Sequence, residues 1–189
     1  AFDKVAKLMG LLKDGEVTMG GPRVSLLAKS GDEKAFNFPR GLMHDGSFDF
    51  SFSGLKTSVL YLIRDMEEDE RVARQADIAA SFENAVVDVL VHKTLQAAKA
   101  AGAERILLSG GVAANQRLRA ELDARANMAG REVYYPPSEL CTDNAAMIAA
   151  VGSFRMRQGE RSGFDLNANP RLVLPGRRER QGEPCATST

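Results

Sequence analysis

The stretch from Arg105 to Asn115, R-I-L-L-S-G-G-V-A-A-N, limits the folds open to this chain more than any other. Ile106, Leu107 and Leu108 form a short apolar run that halts at Ser109-Gly110-Gly111, and Leu118, Leu122 and Ala126 then recur at helical spacing. That order predicts a buried strand, a glycine turn and, directly after it, a helix N-terminus. Such a turn suits anions, because glycine lets the backbone come close and the first helical N–H groups point outward at the positive end of the dipole. It also suits a plain strand-to-helix connection, and a lone Gly-Gly does not separate the two. A second strand is predicted at Glu132-Val133-Tyr134-Tyr135. The two strands and the helix between them make a βαβ unit with the usual right-handed parallel crossover. The expected fold class is therefore α/β.

Around this unit the chain is mostly helical. Phe2, Val5, Ala6, Met9 and Leu12 recur at helical spacing, with Asp3 on the polar side. Gly20-Gly21-Pro22 is expected as a loop opening a second short helix through Leu26, Leu27 and Ala28. Residues 30–47 read as surface loop. Phe48, Phe50 and Phe52 alternate with Asp49 and Ser51, the period of a strand. A helix is expected over Leu55 to Met66, a charged break over Met66 to Arg71, and a long helix from Val72 to Ala100. After Pro136-Pro137-Ser138, the C-T-D-N stretch leads into a helix from Ala145 to about Arg157. Asp143 is expected as its N-cap and Met147, Ile148, Val151 and Phe154 on its buried side. The last residues are Arg-rich, polar and aperiodic, the composition of a disordered tail.

Composition excludes several classes. In 189 residues, 44% are hydrophobic and 26% charged, and Lys+Arg and Asp+Glu balance at 25 each. That is the profile of an ordinary globular domain or part of one, with no global positive charge to announce nucleic acid. Cys141 and Cys185 stand far apart and match neither metal nor disulfide spacing, so a reducing cytoplasm is expected. No apolar run reaches the roughly 20 residues of a membrane span, and no signal-peptide pattern opens the chain. The chain begins inside a helical pattern without Met, so a longer polypeptide is expected. His44 and His92 read as isolated, and Ser109 lacks a nucleophile elbow, so no hydrolase triad is supported.

The Gly-Gly turn and Asp143 both follow the carboxyl ends of the predicted parallel strands, where open α/β sheets bind ligands. An anion cradle beside a carboxylate would suit a nucleotide phosphate and a metal, although one carboxylate cannot hold a metal alone. The residues by themselves lead to a nucleotide-binding α/β lobe with an incomplete site.

Six stretches in order carry a resemblance: A-F-D-K-V-A-K-L-M-G-L at 1–11, G-G-P at 20–22 and D-F-S-F-S-G-L-K-T at 49–57, then S-F-E-N-A-V-V-D-V-L at 81–90, S-G-G-V-A-A-N at 109–115 and C-T-D-N-A-A-M-I-A at 141–149. Together they resemble the C-terminal part of the TsaD family of tRNA threonylcarbamoyladenosine enzymes, once labelled glycoproteases. The resemblance covers residues 1–174 and leaves 175–189 as the tail. It implies the actin-like, Hsp70-like sugar-kinase (ASKHA) fold, mainly the second lobe. It also implies transfer of the threonylcarbamoyl group from its adenylate to the adenosine beside the anticodon of tRNAs reading codons that begin with A.

Residue by residue, the resemblance implies that Asp143 ligates one divalent metal, iron or zinc. It places Asp3, Gly21 and Asn115 against the adenylate, made from ATP, and Gly110 and Gly111 near its phosphate. The implied partners are tRNA, TsaB-like and TsaE-like proteins and a TsaC-type threonylcarbamoyl-adenylate synthase. The family's His-x-x-x-His motif and Ser-Gly-Gly-His stretch are absent from these residues. Two histidine ligands would then come from the preceding half, and this chain by itself is expected to be inactive and prone to associate. A scaffold that binds nucleotide or partner without chemistry is the alternative. Asp143 argues against it, since a scaffold needs no metal ligand. A zinc protease lacks its His pair and general base here.

Overall fold

A computed structural model describes residues 2–12 and 19–168, in two compact units that meet in sequence between Asn144 and Ala145. The first unit holds α1 (Phe2–Leu8), α2 (Gly20–Ala28), α3 (Ser53–Asp65), α4 (Glu68–Ala73), α5 (Gln75–Ala100), β1 (Arg105–Leu107), α6 (Gln116–Met128) and β2 (Glu132–Tyr134). The second holds α7 (Ala145–Arg157) and irregular chain as far as residue 168. The expected boundary at residue 174 and the tail lie outside the described residues.

Helix α5 organises the first unit. Its 26 residues span about 39 Å at 1.5 Å per residue, enough to serve two cores. Ile78, Ala79, Phe82 and Val86 pack with Val5 and Ala6 of α1, Val24 of α2 and Val59 of α3. Phe2 meets Phe82 edge to face at 5.0 Å between ring centroids. One turn further on, Val87, Val91 and Ala98 pack with Ile106 of β1 and with Leu118, Leu122 and Ala126 of α6. The predicted face of α6 is thus the buried one.

β1 and β2 pair in parallel, Arg105 opposite Glu132, Ile106 opposite Val133 and Leu107 opposite Tyr134, with α6 as the crossover. The βαβ expectation is met, but the strand is not buried throughout. Ile106 is 8% exposed and Leu107 81%, because successive strand residues face opposite sides and helices cover only one of them.

Four other expectations change. The Phe48–Phe52 alternation forms no strand. Phe48 and Phe50 are exposed, and with no neighbouring strand among the described residues there is no ladder to satisfy the backbone. Gly20, Gly21 and Pro22 form the first turn of α2 and not a loop, since first-turn N–H groups lack helical partners and proline costs nothing there. The charged break contains α4, whose opening Glu68, Asp69 and Glu70 complement the helix dipole. Finally, Met147, Ile148, Val151 and Phe154 of α7 are exposed, because the second unit has no other described helix or strand to cover them. No described helix is long and apolar enough to cross a membrane.

Candidate nucleotide and metal site

The N-terminus of α2 is built against α1. Asp3 Oδ1 accepts a hydrogen bond from the Gly20 N–H at 2.6 Å. A Cβ on Gly20 would fall 2.5 Å from Ala6 Cβ and 2.9 Å from Asp3 Cα, so only glycine lets the helices approach this closely. Gly21 differs. A Cβ there would meet only Phe2 Cβ, at an ordinary 3.9 Å, so packing does not demand a glycine.

One helical turn beyond Gly21, Ser25 faces the third expected site residue. Asn115 Nδ2 donates to Ser25 Oγ at 3.0 Å and to Glu83 Oε1 at 2.6 Å. Ser25 Oγ donates to the same Glu83 oxygen at 2.6 Å. Asn115 Oδ1 accepts from the Leu118 N–H at 2.8 Å and so caps α6. Helix α2 therefore holds Asp3 of α1 at Gly20 and Asn115 at Ser25, points about 7.5 Å apart along its axis.

The glycine turn has its own geometry. Gly110 sits at φ +85°, open to glycine and strained for other residues. The α-helix does not follow at once, as expected. A 3-10 turn over Gly111–Ala114 intervenes, tied by the Ala113 N–H to the Gly110 carbonyl at 2.9 Å. The α6 N–H groups thus start a turn later, and Asn115 occupies one of them. What remains at the glycines is open space, with nothing within 4 Å of a Cβ on either Gly110 or Gly111.

Arg119 joins this turn to the segment carrying Asp143. Its guanidinium donates to the Ala113 carbonyl, to the Pro136 carbonyl at 2.9 Å and to Cys141 Sγ at 3.1 Å. It also lies 4.3 Å from the Tyr135 ring centroid. The C-T-D-N stretch is held by that clamp on the carboxyl side of the strands, beside the glycines. Cys141 is buried and Asp143 exposed. Asp143 is not the N-cap: α7 starts at Ala145, so Asn144 stands at that position, its amide donating to the Thr142 carbonyl at 2.9 Å.

His44 and His92 are not isolated. Their rings meet edge to face, 4.9 Å between centroids. Burial, followed by the charges of His44, Arg125 and Lys93, holds His92 below the usual histidine pKa. Beside them Lys93, 1% exposed, donates to Asp45 Oδ1 at 2.8 Å and to the Ser47 carbonyl at 3.0 Å. These bonds, above all the one from Lys93, pull the Asp45 carboxyl below its usual range. No group of three His, Cys, Asp or Glu among the described residues could hold a metal ion. Asp143 alone therefore does not fit one.

Sequence reasoning singled out neither Glu83, Ser25, Arg119 nor Lys93. Glu83 and Lys93 left a trace, since each is a charge amid the apolar residues of α5. Arg119 left none.

A parallel βαβ unit with an open glycine turn after its first strand makes this an α/β protein. The comparisons give the family. Residues 1–150 match the family model described as TsaD, tRNA N6-adenosine threonylcarbamoyltransferase, and the chain belongs to that family. A tRNA N6-adenosine threonylcarbamoyltransferase of Listeria innocua is 48% identical over 176 residues, 92% of this chain and 49% of the relative. One of Paracidovorax citrulli is 51% identical over 177 residues, 92% and 49%, and one of Thermotoga neapolitana 48% over 174, 92% and 50%. The chain thus spans about half the length of the curated relatives it matches, and it corresponds to their C-terminal part.

Proposed function

We propose that this chain is the nucleotide-side part of an enzyme that transfers threonylcarbamoyl from its adenylate to N6 of the adenosine beside the anticodon of tRNAs reading codons that begin with A. The observation that carries this reading is the alignment of separate motifs on one helix. Helix α2 holds Asp3 at Gly20, beside Gly21, and Asn115 at Ser25, less than two turns apart, while Arg119 draws the Asp143 segment to the glycine turn.

In this reading Asp3 keeps Oδ2 for ribose hydroxyls while Oδ1 holds Gly20. Gly21 is small because the ligand, not the protein, lies against it. Gly110 and Gly111 offer bare backbone to the phosphate. Asn115 contributes less than expected as a direct donor, since both its amide hydrogens go to Ser25 and Glu83. Asp143 supplies one carboxylate for the iron or zinc ion. The donors among the described residues do not complete that site, so this reading calls for two histidines from the rest of the protein and no step is derived through the metal. The lobe has the actin-like, Hsp70-like sugar-kinase (ASKHA) architecture and works in the cytoplasm with tRNA, TsaB-like and TsaE-like proteins and a TsaC-type synthase. By itself it is inactive.

The test uses the protein at its full natural length with tRNA, threonine, bicarbonate, ATP and the partner proteins, and measures the modified adenosine by nucleoside mass spectrometry. Product is expected from the wild type, and none from Asp143→Ala or Asp3→Ala with folding retained. Full product from both variants would sink the site assignment, and product from this chain alone would sink the division of labour.

A further inference from the structure

One face of α5 is a polar stripe. Asp77, Ser81, Asn84, Asp88 and His92 follow one another at steps of three or four, which sets them in a row along the helix. Residues 32–47 lie along that row as a strap, held rung by rung. Asp77 Oδ1 accepts from the Asp32 N–H at 2.9 Å. Ser81 Oγ accepts from the Phe36 N–H and donates to the Asp32 carbonyl, both at 3.1 Å. Asn84 donates to the Glu33 carbonyl at 3.4 Å, and Asp88 accepts from the Arg40 guanidinium at 2.7 Å.

The last rung has different chemistry. There His92 meets His44 of the strap, 4.9 Å between ring centroids. Next to it the buried Lys93 Nζ donates to Asp45 Oδ1 at 2.8 Å, to the Ser47 carbonyl at 3.0 Å and to Ser47 Oγ at 3.2 Å. These contacts hold a strained backbone, for Leu42 sits at φ +58°, in the left-handed region that residues other than glycine seldom enter. Histidine is also the one side chain among these rungs whose ordinary pKa lies near neutral pH.

Burial opposes a proton on His92, and so do the charges that face it: His44 on the strap, Arg125 on α6 and Lys93 on its own helix. The acids of the same elements are engaged with other cations. Asp45 is held by Lys93, Asp88 by Arg40, and Glu121 by Arg125 at 3.7 Å. A proton on His92 therefore finds no free carboxylate among them.

We propose that the His44–His92 rung is an acid-released latch: protonation of His92 frees residues 41–47 from α5, while the rungs at Asp77, Ser81 and Asn84 stay closed. The strap leads through Phe48–Phe52 into α3, so the latch fixes how the chain enters that helix. Neither nucleotide nor metal takes part. The sign follows from the lowered pKa of the closed rung. Once the strap opens, His92 regains its ordinary value of about 6.5. The latch is thus closed above that pH. Each unit of acidification below it, as far as the lowered value, raises the open fraction up to about tenfold.

The experiment is hydrogen exchange of the full-length protein at about pH 7.5 and about pH 5.5, read by peptide mass spectrometry with labelling times scaled for intrinsic exchange. The amides of Met43, Asp45 and Ser47 are bonded within the strap and should exchange several-fold faster at the lower pH. Those of Asp32 and Phe36, bonded to α5, should not. His92→Phe keeps a ring against His44, takes no proton and should stay closed at both pH values. Equal exchange of residues 41–47 at the two pH values in the wild type would overturn the latch. So would an acid response that survives in His92→Phe, or one that spreads evenly over residues 32–47 and α5. If the variant does not fold, the wild type decides by NMR: the acid response must follow the titration of the His92 ring, and a different midpoint overturns the proposal.

Discussion

Two adjacent glycines separate what the fold needs from what the ligand needs. Gly20→Ala would place a Cβ 2.5 Å from Ala6 Cβ and 2.9 Å from Asp3 Cα. Real Cβ atoms essentially never come within 3.0 Å of another heavy atom, so α1 must move. Val5 and Ala6, both fully buried, would move with it. Overpacking of this kind costs about 1–3 kcal/mol, and weakening the Asp3–Gly20 hydrogen bond adds about 1 kcal/mol. A total of about 2–4 kcal/mol is a large part of a typical domain's 5–15 kcal/mol. Gly21→Ala meets only Phe2 Cβ at 3.9 Å. In a helix that exchange gains up to about 1 kcal/mol, less in the first turn. Urea unfolding of the full-length protein should therefore show a lowered midpoint for Gly20→Ala and an unchanged or raised one for Gly21→Ala. Nucleotide binding should behave differently, with Gly21→Ala impaired despite its stability. Normal nucleotide binding by Gly21→Ala would refute the claim that ligand occupies the missing side chain. An unchanged midpoint for Gly20→Ala would refute the packing argument.

Two further outcomes are expected. His92 has a folded pKa below its unfolded value, so the unfolded chain binds more protons near that pKa and the stability contribution is present above about pH 6.5 and lost as pH falls through the folded pKa. Melting temperature should fall on acidification from pH 7 to 5 with a slope that His92→Phe reduces, and an unchanged slope would contradict the assignment. Arg119→Met removes the donors to the Ala113 and Pro136 carbonyls and to Cys141, at about 1–3 kcal/mol. Threonylcarbamoyl transfer, the activity proposed for the full-length protein, should drop there more than this destabilisation explains, and transfer at the wild-type rate would count against Arg119 as the clamp of the Asp143 segment.

Periodicity alone determined the βαβ unit, the face of α6 that is buried and the long α5, because each rests on local repeats of apolar residues that any neighbour must cover. The six ordered motifs determined the family, since their residue types and order survive without any knowledge of contacts. Tertiary structure decided the rest. The phenylalanines at 48–52 have the alternation of a strand and form none, because a strand exists only with a partner. The polar pairings are the clearest case. Ser25 meets Glu83 across 58 positions and Asn115 across 90, and His44 meets His92 across a similar span. Such pairs have no local signature. They arise because α5 runs past both the N-terminal helices and the βαβ unit, and only that shared helix brings their side chains within hydrogen-bond reach.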